Sequence, residues 1–212
     1  MWHSPLTCML YVVASHHLSR LILPPCAPTT VWVAMHLAVN MGIAYSALPS
    51  LTRVLRQDPH VGVAHPPDHN YTPLLLAVLL HAYHCAVFDL NPGDRFHHLL
   101  FVLIMGLPSV LYANDAVNAM LFAISGVPGA IIYTAILLRR LGCTNVSEPR
   151  VSALVNVLLR LPLVMWMNAC YLSTVARPPL PVVVMQVFLS SANAIGYSLQ
   201  ALARARRGAR KK

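Results

Sequence analysis

Four histidines, two acids and an arginine fall within residues 81–98, HAYHCAVFDLNPGDRFHH. His81 and His84 are three apart, so on a helix they share a face. After the Asn91-Pro92-Gly93 turn come Asp94, Arg95 and the adjacent pair His97 and His98. Asp94 lies three and four residues before those two rings and is spaced to orient either one, although adjacent rings diverge by about 100° on a helix. Imidazole titrates near neutrality, so a ring held here can strip a proton from a nucleophile and return it. Acyl transfer from a thioester to an amine or hydroxyl needs such a base, plus a donor for the developing oxyanion. On this reading His97 and His98 are catalytic and Asp94 fixes their tautomer. His81 and His84 line the same cavity, and Arg160 binds an anionic headgroup or the phosphate of an acyl donor.

The same residues admit other readings. Membrane di-iron enzymes use several clusters of the HxxxH and HxxHH kind, but further clusters are missing here and no metal is expected. His60, His65 and His69 form an irregular loop tract without a cysteine, which is poor metal spacing. Histidines at the ends of membrane helices also sit in the headgroup zone with no chemistry. The five cysteines, Cys8, Cys26, Cys85, Cys143 and Cys170, show no CxxC spacing and read as free thiols.

The elements that position these residues are apolar helices. The chain has 212 residues, of which 57% are hydrophobic and 10% charged, against about 25% charged in soluble domains. That balance describes an all-α, multi-pass transmembrane helix bundle. Six core spans are predicted at 29–49, 71–90, 96–113, 116–138, 151–175 and 179–202. Residues 6–23 carry His16, His17 and Arg20, and form either a surface-lying helix or a seventh, N-terminal span. The loop after the first span, rich in Pro, His and Asp, is expected to be exposed. Pro128, between Gly126 and Gly129, should kink the fourth span. Arg160 falls near the middle of the fifth, where an unpartnered arginine costs roughly 2.5–3.5 kcal/mol; it should face the interior, with Asn156 on its face and Asp89 or Asp115 as partner. Gln186, Asn193 and Gln200, seven apart, read as a helix-contact seam.

The net charge of +9 does not imply nucleic acid, because six of the 15 basic residues lie in the last nine positions: Arg204, Arg206, Arg207, Arg210, Lys211 and Lys212. A basic tail after an apolar segment is a topology signal. With the C-terminus in the cytosol, Arg139, Arg140, Arg150 and Arg95 join it, and only Arg53, Arg56 and Arg177 fall opposite. A transporter would suit the broken helices and Arg160, but the two halves show no repeat.

Residues 94–115, DRFHHLLFVLIMGLPSVLYAND, and the Gly/Pro-containing span running to Arg139 and Arg140 resemble the TLC domain family of ceramide synthases and relatives. The resemblance rests on the acid Asp94 before the pair His97–His98, on Asn114 and Asn118, and on the basic helix end. Tyr83 and Asp89 also fall where the family has an aromatic residue and an acid. It implies a TLC-like transmembrane domain over 29–202, with an N-terminal segment 1–28 and a basic cytosolic tail 203–212. It also implies membrane lipids as partners, location in the endoplasmic reticulum, and either acyl transfer to a sphingoid or related acceptor or a non-enzymatic role sensing or regulating membrane lipid composition. Asp89 joins the substrate-binding residues on this basis. No cofactor is implied beyond acyl-CoA as co-substrate, and homo-oligomers fit the layout. The acid-bearing second motif of the synthases is missing: no acid occurs from 116 to 147.

The orientation is open to a direct check. Asn145-Val146-Ser147 is a glycosylation sequon in a loop placed in the cytosol. Gel mobility of the protein from a eukaryotic host should not change with Asn145→Gln or with endoglycosidase; a shift abolished by that substitution inverts the orientation.

Overall fold

The structure is a computed structural model, and it describes residues 4–23, 28–58, 60, 61, 63, 64, 68–173 and 179–209. Cys26, His65, Arg177, Arg210, Lys211 and Lys212 lie outside the described residues. Seven helices and no strand occur among the described residues: α1 (Pro5–Ile22), α2 (Pro28–Leu55), α3 (Thr72–Val87), α4 (Pro92–Leu111), α5 (Asp115–Arg140), α6 (Glu148–Ser173) and α7 (Leu180–Ala209). Five of them, α2 and α4 to α7, are long and apolar enough to cross a membrane. Helix α3 is apolar but has only 16 residues, shorter than the expected 71–90, and α1 is not among the five.

Short polar residues start the helices. Asn91 Oδ1 accepts the Asp94 N–H at the head of α4, and Asn114 Oδ1 accepts the Val117 N–H at the head of α5. Each satisfies one of the first-turn donors that a helix leaves open. The Asn91-Pro92-Gly93 turn read from the sequence is therefore a cap, and Asn114 is a second one.

Six helices form a closed ring: α2 packs on α3, α3 on α4, α4 on α7, α7 on α6, α6 on α5, and α5 back on α2. Helix α1 lies outside the ring against α2 and α3, burying Cys8, Val12, Ser15 and His16. It is pinned by Tyr11 Oη donating to Ala38 O at 2.9 Å and by the pair His16 Nδ1–Tyr83 Oη at 2.6 Å. The outer surface carries bare apolar side chains such as Leu103, Leu158, Phe188 and Leu199, as hydrocarbon demands. Polar side chains go inward, among them His36, Asn40, His84, His98, Asn156 and Arg160.

Three helices of the ring share one irregularity. Each contains a π-helical turn, at Phe101–Gly106, Phe122–Gly126 and Val155–Arg160. A proline follows two residues after each: Pro108, Pro128 and Pro162. Proline has no N–H and crowds the carbonyl four residues back. The helix widens instead, and the N–H just before each proline reaches back five residues, Leu107 to Val102, Val127 to Phe122 and Leu161 to Asn156. The kink expected at Pro128 is one member of this set.

One end of the ring is closed by a polar knot. Arg53 of α2 pairs with the buried Asp115 of α5 at 2.8 Å, and Ser50 Oγ donates to the same carboxylate at 2.6 Å. Asn118 Nδ2 donates to Asn70 O at 2.7 Å. The loop ahead of α3 was expected to be exposed; His69 and Val61 are instead buried there, because Val61 O accepts the Ala116 N–H and His69 Nδ1 lies 3.8 Å from Asp115.

Close helix approach depends on small residues. A Cβ on Gly126 would meet the Ala44 backbone at 3.0 Å, whereas one on Gly196 meets nothing within 4 Å. Backbone cannot swing aside as a side-chain tip can, so Gly126→Val should cost about 1–3 kcal/mol and Gly196→Ala should cost nothing. Thermal unfolding in detergent, with both variants run beside the wild type, checks the contrast.

Candidate functional site

The ring encloses a cavity of about 800 Å³. All six ring helices line it, and α1 contributes no lining residue. Its rim comes from helix ends: Thr29 of α2, Asp89 to Asn91 after α3, Arg140 of α5, Glu148 of α6 and Arg204 of α7. Its floor is reached at Ile43, Ile124 and Asn193. Thr29 and Ile43 are 14 residues apart on one helix, which makes the cavity about 20 Å deep. The three π turns contribute Phe101, Ile124, Ser125, Asn156 and Arg160 to its wall. Turns of this kind recur at functional sites because they displace side chains from their regular positions.

One wall is a cluster of imidazoles. His98 of α4 is the hub: its ring centroid lies 4.9 Å from those of His81 and His84 and 5.5 Å from that of His97. His84 Nδ1 and His98 Nε2 are hydrogen-bonded at 3.3 Å, both rings buried. Nδ1 of His81 donates to Ala77 O at 2.7 Å, and Nδ1 of His36 donates to Trp32 O at 2.8 Å. A carbonyl only accepts, so in both rings the proton is on Nδ1 and the lone pair on Nε2. His36 extends the cluster onto α2, with its ring 4.2 Å from that of His84 and 4.8 Å from that of Tyr133.

The facing wall is cationic. Arg160 is buried, donates to Asn156 Oδ1, and sits 5.0 Å above the Tyr197 ring. Among the described residues no carboxylate lies within ion-pair distance of it, and its Nε has no hydrogen-bond partner. The expected partners are engaged elsewhere: Asp115 is in the knot with Arg53 at the closed end, and Asp89 is exposed, 3.9 Å from Arg95. Tyr197 joins the two walls, since its Oη is 3.3 Å from His97 Nε2.

The structure thus brings His81, His97, His98, Arg160, Asp89 and Asp94 to one cavity, whereas His84, expected to line it, is fully buried behind His98 and His36. They are not equal there. Asp94 is exposed, its carboxylate accepts from Asn91 Nδ2, and no histidine hydrogen-bonds to it among the described residues. The rings are oriented instead by Ala77 O, by Tyr197 and by each other. His36, Tyr133 and Tyr197 escape a reading of the 81–98 stretch, because they come from helices remote in sequence. The one available signal was His36 and Asn40, four apart on a helix face; both line the cavity. The seven-residue polar stripe on α7 divides: Gln186 bridges Tyr171 and Ser109, Asn193 lines the cavity, and Gln200 is exposed.

No protein-family model, curated protein or solved structure matches this chain.

A buried guanidinium without a carboxylate within ion-pair distance, on the wall of a mixed polar and apolar cavity, has the chemistry to receive an anion. Arg160→Met removes a desolvated cation without orphaning an acid, so unfolding temperature should hold or rise. Affinity for dodecyl phosphate, against dodecanol as the uncharged control, should fall about ten- to hundredfold, the worth of a charged hydrogen bond.

Proposed function

We propose that this integral membrane protein is an enzyme of lipid metabolism that transfers an acyl group from a phosphate-bearing thioester to an amphiphilic acceptor bound in the ring cavity. The observation that carries this reading is the Arg160–Tyr197–His97 connection, which sets a buried cation beside a histidine cluster in one chamber of mixed polar and apolar walls. Cavities that combine apolar walls with a few placed polar groups are the usual form of a small-molecule site.

The chemistry needs little more than these side chains. A histidine of the cluster takes the proton from the acceptor N–H or O–H as that atom attacks the thioester carbonyl. The new C–N or C–O bond forms, the C–S bond breaks, and the thiolate leaves with the proton returned by the imidazolium. Tyr197 or Tyr133 donates to the oxyanion in between. His97 and His98 are the candidate bases. Asp94 acts at the rim, with Asp89, where a polar acceptor headgroup would sit.

Charge distribution supports the orientation that goes with this scheme. Arg20, Arg95, Arg139, Arg140, Arg150, Arg204, Arg206 and Arg207 all belong to the end of the bundle where the cavity opens, and Arg53 and Arg56 belong to the other. A cytosolic mouth follows from the positive-inside rule, and it would admit a water-soluble acyl-CoA past Arg140 and Arg204 toward Arg160. The likeness of the Asp94, His97, His98 stretch to the TLC domain family supports a sphingoid or related acceptor and the endoplasmic reticulum. The synthases' second acid-bearing motif is absent, so the acceptor class is the finer part of the proposal.

Expression of the wild type and a His97→Ala, His98→Ala double variant at equal membrane abundance, followed by mass spectrometry of total lipids, tests it. One acylated lipid class should rise with the wild type alone. Equal shifts from both proteins would mean that the cavity binds lipid without transforming it.

A further inference from the structure

The histidine cluster has a geometry that a base alone does not require. One ring nitrogen from each of His81, His97 and His98 lies within 4.8 Å of the others. Each ring also has one nitrogen hydrogen-bonded, His81 Nδ1 to Ala77 O, His97 Nε2 to the Tyr197 hydroxyl and His98 Nε2 to His84 Nδ1, which leaves His81 Nε2, His97 Nδ1 and His98 Nδ1 as the candidate ligand atoms. Metal-ligating histidines show this arrangement, because an outer hydrogen bond fixes the tautomer and aims the lone pair of the inner nitrogen.

A second observation points the same way. His98 is nine-tenths buried, and its Nδ1 has no hydrogen-bond partner among the described residues; neither does Nε2 of the fully buried His84. The bond between these two rings carries a single proton. If His98 donates it, His98 Nδ1 is left as a bare, buried lone pair aimed away from His84. An orphaned buried polar atom of this sort costs about 1–3 kcal/mol, and a cation removes that cost.

We propose that His81, His97 and His98 bind a divalent transition-metal ion of the zinc type. Three neutral imidazoles and no thiolate suit zinc. Zinc–nitrogen bonds of about 2.0–2.1 Å in a tetrahedron place the nitrogens about 3.4 Å apart, so the ring tips close by about 1 Å around the ion. All three residues line the cavity, and the fourth position opens into it, where an acceptor hydroxyl or a water would bind. The site stands on this geometry and does not depend on the acyl-transfer reading. If both hold, the ion replaces a bare imidazole as the group that activates the acceptor.

The test uses full-length protein purified without a histidine tag, in detergent, equilibrated with zinc and desalted. Elemental analysis should find one zinc per chain in the wild type. Cobalt in its place should give the intense visible bands of a tetrahedral site. His81→Ala and His98→Ala should each abolish both signals, while His60→Ala, an exposed residue of the loop ahead of α3, should leave them intact. Tyr197→Phe keeps the ligands and loses an outer hydrogen bond, so zinc affinity should fall about tenfold. A folded wild type that retains no zinc, gives no tetrahedral cobalt spectrum, or binds zinc equally well without His81 and His98 overturns the proposal. Zinc bound by a protein whose lipid profile is inert would keep the site and discard acyl transfer.

Discussion

The cavity exists because α4 meets α7. Five of the six contacts around the ring are broad packing seams, but this one is narrow and rests on two polar bridges. Gln186 Nε2 donates to Ser109 Oγ at 3.0 Å near the closed end, and Tyr197 Oη pairs with His97 Nε2 at 3.3 Å near the mouth. In hydrocarbon, apolar surface gives helices little reason to associate, so hydrogen bonds and close packing decide which faces meet. The Tyr197 bridge therefore does two things at once: it closes the ring and ties the cationic wall to the histidine wall.

The three proline-associated π turns explain why a ring of packed helices is hollow. A regular helix would present an unbroken ridge to the centre. Each widened turn displaces side chains and frees backbone groups that neighbours then satisfy. Asn156 O, for example, accepts both the Leu161 N–H and Ser198 Oγ. Arg160 is the last residue of one such turn and His98 lies three residues before another, so the chemistry-bearing side chains stand at the places where the helices are irregular.

The two arginine-containing sites differ in how the charge is met. At the closed end Arg53, Asp115, Ser50, Asn118 and Asn70 bond to one another and lock α2, α5 and the intervening loop together. In the cavity Arg160 has a neutral amide and an aromatic face but no acid. A chain with six acids and 15 basic residues has few carboxylates to place inside; it commits one to the knot, and among the described residues none lies within ion-pair distance of Arg160.

Much of this could be read before any coordinates. Apolar runs separated by polar corners gave an all-α bundle with six core helices and an accessory first helix, because helix length in a membrane is set by hydrocarbon thickness and backbone polarity must be satisfied within each span. The clustering of the 81–98 histidines was legible for a local reason: His81, His84, His97 and His98 sit on two helices joined by a four-residue connection, so their meeting hardly depends on the rest of the fold. What stayed hidden came from across the ring. Nothing local says that His36, Tyr133 and Tyr197 face that cluster, or that Asp115 serves Arg53 rather than Arg160. Those pairings are settled by which helix stands next to which, and that order follows from packing at Gly126, Gly129 and the α4–α7 seam, which only the assembled tertiary structure specifies.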